Sequence, residues 1–167
     1  MKNKIILTVS QRLARDLKNQ YIKLQLKKNK NAWDSPKIYF WRDWLRLIFI
    51  NNNEFHNGVL LNKNTSLVVW KRCLQQTVDD PLINIQSLAL SCSEALKQTS
   101  DWCIPLSEIA ASSNTLEEKL FIKTAELYVK TLNNENWIDN SLLVEHILND
   151  KKNKWLELIN NSSFVFV

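Results

Sequence analysis

Arg12 and Arg15 follow the apolar run Ile5-Ile6-Leu7-Thr8-Val9 and a helix-capping Ser10. That order puts both arginines in the first turns of a helix leaving a strand. Backbone N–H groups point outward there and favour anions, and phosphates occupy this position in nucleotide-binding α/β domains. Here the turn has no Gly and no Lys-Ser/Thr pair. It offers its arginines to a nucleic-acid phosphate, or it stands as a remnant without a ligand. A second cluster, Trp41-Arg42-Asp43-Trp44 with Arg46, sets aromatic rings beside cations, the combination that stacks bases of single strands. Helical spacing sends Trp41 and Trp44 to one face with Leu45 and Ile48, however, and that face reads as core.

Other candidate chemistry has plainer readings. Glu117-Glu118-Lys119 spells the ExK of a PD-(D/E)xK nuclease, which needs carboxylates on adjacent strands converging on Mg²⁺. Thr115-Leu116-Glu117-Glu118 is instead a capping box opening a helix. Asp79-Asp80 before Pro81 marks a helix end. Cys73, Cys92 and Cys103 have no CxxC spacing, and His56 and His146 lie far apart, so no metal site or cofactor is expected. The three thiols read as small apolar residues in helices of a cytoplasmic protein. A single glycine, Gly58, excludes intact GxGxxG, GxxxxGK[ST] or GxSxG loops, and no catalytic residue is assigned.

The elements that must position these residues alternate in type. Leu13, Leu17, Tyr21 and Leu24 recur at helical spacing after Ser10, with Arg12, Arg15, Lys18 and Lys23 over the remaining surface. Lys37–Phe40 is a second β-prone run, and Asn51 to Asn64 is a polar loop. Apolar stripes then predict helices through Leu67–Val78, Ile85–Leu96 and Leu120–Leu132. A shorter helix runs from a capping Asp139 to Leu148, and a last turn or two spans Lys154–Ile159. Trp102 and Trp137 fall at helix ends as anchors for neighbouring helices. Phe164-Val165-Phe166-Val167 reads as a buried strand of a parallel sheet followed by more protein, or as a short terminal strand completing the sheet.

Charge is unevenly spread. Of the 167 residues, 1–50 hold 12 Lys/Arg against 3 Asp/Glu, a net of +9, while 51–167 carry a net of −4. A basic N-terminal surplus suits a phosphate backbone, an acidic partner or a plain solvated helix face. No stretch approaches the roughly 20 apolar residues of a membrane span, and the N-terminal apolar run Ile5–Leu7 is too short to read as a signal sequence.

The segment Ile6-Leu-Thr-Val-Ser-Gln-Arg-Leu-Ala-Arg-Asp-Leu-Lys-Asn-Gln-Tyr21 resembles the opening of bacterial probable DNA repair proteins related to AddB/RecB-type helicase–nuclease subunits. Thr8, Arg12, Leu13, Ala14, Arg15 and Leu17 fit its "T-x-N-R-R-L-A-R-x-L" pattern, with Ser10 in place of Asn and Gln11 in place of Arg. Pro36–Leu45, Trp70 and Trp102 also match, and Asn136-Trp-Ile-Asp139 resembles "G-W-I-D" with Asn136 replacing Gly. Phe164–Val167 is similar to the strand before the Walker B position of superfamily-one helicases. The resemblance implies an α/β fold: a partial P-loop NTPase-like parallel sheet, like helicase domain 1A, with an inserted helical subdomain. The core would span 1–61 and 151–167 and the insertion 62–150. It implies a non-catalytic domain that scaffolds a DNA repair or recombination nuclease without ATP hydrolysis. The nuclease would lie in a downstream domain of the same polypeptide or in a partner subunit. Arg12, Arg15, Arg42 and Arg46 are the expected contacts to the DNA phosphate backbone. The alternative is an interaction module whose basic face docks an acidic partner subunit, with no DNA contact.

Overall fold

The computed structural model describes residues 3–51, 58–148 and 162–167. These fall into two units: residues 3–51 with 162–167, and residues 58–148. The first unit is α/β. Strand β1 (Asn3–Thr8) leads through Val9 and Ser10 into helix α1 (Gln11–Lys27). Strand β2 (Ile38–Phe40) runs without a loop into helix α2 (Trp41–Asn51). The Ser10 side chain accepts from the Leu13 N–H at 3.2 Å, so the expected cap forms. Strand β5 (Ser162–Phe166) pairs parallel to β1, with Ile5 opposite Phe164, and β2 pairs parallel on the other side. The sheet order is β2-β1-β5, so the first and last apolar runs lie side by side. Phe164 meets Trp44 edge to face with ring centres 5.0 Å apart.

Two details of this unit differ from the sequence reading. Leu24 is exposed, and the buried positions of α1 are Ala14 and Gln25. The Trp41–Trp44–Leu45–Ile48 face of α2 is half-buried, and its one fully buried side chain is Phe49.

The second unit is mainly helical: α3 (Lys63–Thr77), α4 (Ile85–Asp101), α5 (Leu106–Ser112), α6 (Leu116–Asn134) and α7 (Leu143–Leu148). A short parallel pair, β3 (Val59–Leu60) and β4 (Trp137–Ile138), joins its start to its end. Strand β3 corrects the expectation of a polar loop through Asn64, because backbone pairing to β4 overrides local polarity. Residues 52–57 and 149–161, including the turn expected over Lys154–Ile159, lie outside the described residues. Helix α5 was not expected; seven residues are too few for a clear period.

The apolar stripes of α3, α4 and α6 meet around Trp70 and Tyr128, which stack with ring centres 4.1 Å apart and planes 13° from parallel. Gly58 sits where a Cβ would fall on the Ile138 side chain and 3.3 Å from the Asn136 carbonyl, so close backbone approach accounts for the chain's one glycine. Asn136 ends α6 with φ 54°, the left-handed region that glycine and asparagine tolerate best. Trp102 does not anchor a neighbour as expected; it caps α4 and is 78% exposed. Among the described residues no helix is long and apolar enough to cross a membrane.

Candidate nucleic-acid interface

Strands β1 and β2 run parallel, and α1 and α2 start directly after their carboxyl ends. Ligands of open α/β sheets bind at that edge. An open groove of about 690 Å³ lies there, and Arg12, Arg15 and Lys18 of α1, Tyr39 and Phe40 of β2 and Asp43 of α2 line it. Thr8, buried at the end of β1, fixes the junction. Its hydroxyl donates to the Ser10 carbonyl at 2.8 Å, with the Tyr39 carbonyl at 3.3 Å. One side chain thus ties the cap of α1 to the strand that carries Tyr39.

The cations differ in their settings. Arg12 is exposed and faces Asp16 one turn on at 4.0 Å, an ion pair that contributes little in water. Arg15 is also exposed. The Lys18 ammonium lies 5.3 Å from the centre of the Tyr39 ring. The four expected contacts divide: Arg12 and Arg15 meet in the groove, while Arg42 and Arg46 are not among its lining residues. The Arg42 guanidinium lies 4.5 Å from the centre of the Trp41 ring, and Arg46 is exposed on α2. Phe40 and Trp41 meet edge to face at 6.0 Å.

Lys18 and Tyr39 were not singled out from the sequence. The signal was present in part: Arg12, Arg15 and Lys18 follow at steps of three, which drift only slowly around a helix. Nothing local could reveal that α1 crosses β2 at Tyr39.

The remaining candidates are structural. Glu117-Glu118-Lys119 sits in the first turn of α6, not on adjacent strands. The Glu118 carboxylate accepts from the Thr115 N–H at 3.0 Å and the Asn114 N–H at 2.7 Å, and these bonds hold its pKa below the usual range. Asp80 accepts from the Leu82 N–H in a turn after α3. Among the described residues no group of three or more His, Cys, Asp or Glu could hold a metal ion.

Cys73 and Cys92 are buried in helices as expected, and burial raises both thiol pKa values, Cys92 to about 11. Cys103 breaks the pattern. It lies exposed beyond the end of α4 at φ 53°, where the chain turns towards α5. Thiolates react and thiols do not. Iodoacetamide at pH 8 is therefore expected to label Cys103 in the native protein, and Cys73 and Cys92 after denaturation. Mass spectrometry after timed quenching checks the order; early labelling of Cys92 would contradict it.

Asp139 was expected to cap a short helix. It does accept from the Ser141 N–H at 2.6 Å, but its other carboxylate oxygen accepts from the Ser66 and Tyr128 hydroxyls inside the helical unit. No family model matches this chain, and no curated protein is significantly similar to it.

Proposed function

We propose that this chain is a non-catalytic, helicase-like domain that holds the DNA phosphate backbone and serves as scaffold within a DNA repair or recombination nuclease. The observation that carries the reading is the groove itself. Arg12, Arg15 and Lys18 converge at the carboxyl edge of a parallel sheet, where such folds receive ligands. The connection from β1 to α1 is the two residues Val9 and Ser10, and the Ser10 hydroxyl is engaged as the helix cap. That turn is built to start a helix and display its arginines rather than to wrap a triphosphate. The tie to repair nucleases rests on the sequence resemblance of the first helix.

Backbone binding by three cations has a quantitative signature. Each neutralised phosphate contributes a slope of about −0.9 in log K against log salt for duplex DNA, so three give about −2.7. Affinity is then expected to fall ~40-fold between 50 and 200 mM salt. Fluorescence anisotropy of the full chain with labelled single- and double-stranded DNA at both salt concentrations measures this. Absence of binding at low salt would sink the reading and favour the module that docks an acidic protein. Binding indifferent to salt would also sink it.

A further inference from the structure

We propose that the helical unit holds a second site: a cavity at the ends of α4 and α6 that binds a small amine whose apolar body ends in a hydroxyl. The cavity measures about 340 Å³, near the lower end of the range for small-molecule pockets. Leu96 of α4, Leu106 at the start of α5, Val129 of α6 and Leu142 before α7 give it apolar walls. Leu96 is buried and the other three are half-buried, so a ligand body seated there takes apolar surface out of water. All of these residues belong to the helical unit, and none lines the groove at the sheet.

The inner polar group is Ser100. It is 5% exposed, it lines the cavity, and its hydroxyl has no hydrogen-bond partner among the described residues. A helical serine without other partners donates back to the carbonyl four residues earlier. Here that carbonyl, of Leu96, accepts the Thr99 hydroxyl at 2.8 Å as well as the helical N–H of Ser100. Beyond the helix, the turn through Cys103 engages the next carbonyls. The Ile104 N–H donates to the Thr99 carbonyl at 2.9 Å and the Cys103 N–H to the Ser100 carbonyl at 3.1 Å. The backbone around Ser100 is thus satisfied while its side chain is not. An orphaned buried hydroxyl costs stability until something completes it. A hydroxyl on the inner end of a ligand does so, since it both donates and accepts.

The rim favours a cation. Glu145, exposed on α7, is the one acid among the lining residues, which include no Lys or Arg. Ser100 and Asn133 lie in the last turns of α4 and α6, whose carbonyl ends carry partial negative charge. Leu106 opens α5 here with the opposite polarity, but that helix has seven residues against 17 and 19, and its first turn already carries Glu108. His146 also lines the cavity, and an ordinary imidazole is uncharged at pH 8. Residues 58–148 hold 7 Lys/Arg against 11 Asp/Glu, a net of −4, so the unit as a whole draws cations and repels anions. An ammonium at Glu145, a hydroxyl at Ser100 and an apolar body against the leucines account for each of these groups.

Three probes of similar size test this on the full chain at pH 8 by saturation-transfer NMR titration. They are tyramine, phenethylamine, which lacks the hydroxyl, and hydroxyphenylpropanoate, which carries a carboxylate in place of the ammonium. Tyramine is expected to bind about fivefold more tightly than phenethylamine, the worth of one hydrogen bond. It should bind about tenfold more tightly than the propanoate, as attraction to Glu145 becomes repulsion. Ser100→Ala should abolish the first preference and keep the second, without lowering the melting temperature, because it removes a hydroxyl that had no partner. Glu145→Gln should reduce the second preference to about twofold and keep the first. If Ser100→Ala fails to fold, Glu145→Gln, a change at an exposed position, still decides. A Ser100→Ala variant that still prefers tyramine over phenethylamine would overturn the inference and leave water as the serine's partner. Equal binding of tyramine and the propanoate would overturn it too, as would no binding of any probe. None of these results bears on DNA binding, which involves other residues.

Discussion

Replacing Arg12 and Arg15 together by alanine is expected to flatten the salt dependence of duplex DNA binding without lowering the melting temperature. Lys18 would remain as the groove's one cation, so the slope should fall from about −2.7 to about −0.9. The ~40-fold loss between 50 and 200 mM salt should shrink to about three- to fourfold. Stability should hold because both side chains are exposed, the Arg12–Asp16 pair is solvent-screened, and alanine is at least as good a helix former as arginine. Arg46→Ala provides the contrast. Arg46 carries the same charge but stands outside the groove, so its loss should be the smaller. Asp43→Asn should act in the opposite direction, tightening binding a few-fold by removing a like charge from the phosphate path. Anisotropy titrations of the four proteins across a salt series measure all of this. An unchanged slope in the double variant would place the DNA elsewhere on the molecule.

These effects separate because site and core were unequally legible in the amino-acid order. Features written in neighbouring residues emerged directly. Ser10 as a cap, the Thr115–Glu118 capping box and the helical stripes through Trp70 and Leu96 each depend on residues a few positions apart. The pairing of β5 with β1 was also legible, since an apolar β-prone run seeks a parallel sheet. What escaped depends on distant partners. Val59–Leu60 is too short to carry a period, and it becomes a strand only because β4 lies beside it. Ala14 and Gln25 lie buried on α1 while Leu24 is exposed. The groove shows both cases: its arginines were visible as a local motif, while Tyr39 joined them only through the crossing of α1 over β2.

Asp139 is where a distant interaction should have the largest effect on stability. Its carboxylate is buried and accepts from three donors: the Ser66 hydroxyl on α3, the Tyr128 hydroxyl on α6 and the backbone N–H of Ser141. Alanine at 139 would leave the Ser141 N–H and one of the two hydroxyls without an acceptor, since only one hydroxyl can donate to the other, at a cost of about 3–5 kcal/mol, a large share of a small unit's stability. Asparagine would not repair the site. With its oxygen on the Ser141 N–H, its amide would face two hydroxyls that also lie 2.8 Å from each other. One hydroxyl proton can go to the other oxygen, and the second has no acceptor. Asp139→Asn should therefore cost about 1–3 kcal/mol. Tyr128→Phe removes one bond to the carboxylate and should cost about 1.5–3 kcal/mol. Burial, reinforced by the Asp139 charge, raises the Tyr128 pKa far above its usual 10. A raised folded-state pKa contributes stability that is complete below about pH 10 and is lost as pH climbs beyond it, because the unfolded chain ionises first. The Cys92 thiol adds the same trend between its usual value of 9.0 and its folded value of about 11. Urea unfolding followed by tryptophan fluorescence should show the order wild type, Tyr128→Phe, Asp139→Ala in falling midpoint. Repeating it from pH 8 to 11 should show a weaker alkaline decline in Tyr128→Phe. An Asp139→Ala midpoint equal to wild type would mean that the three donors find other partners and that the network does not hold α3 to α6.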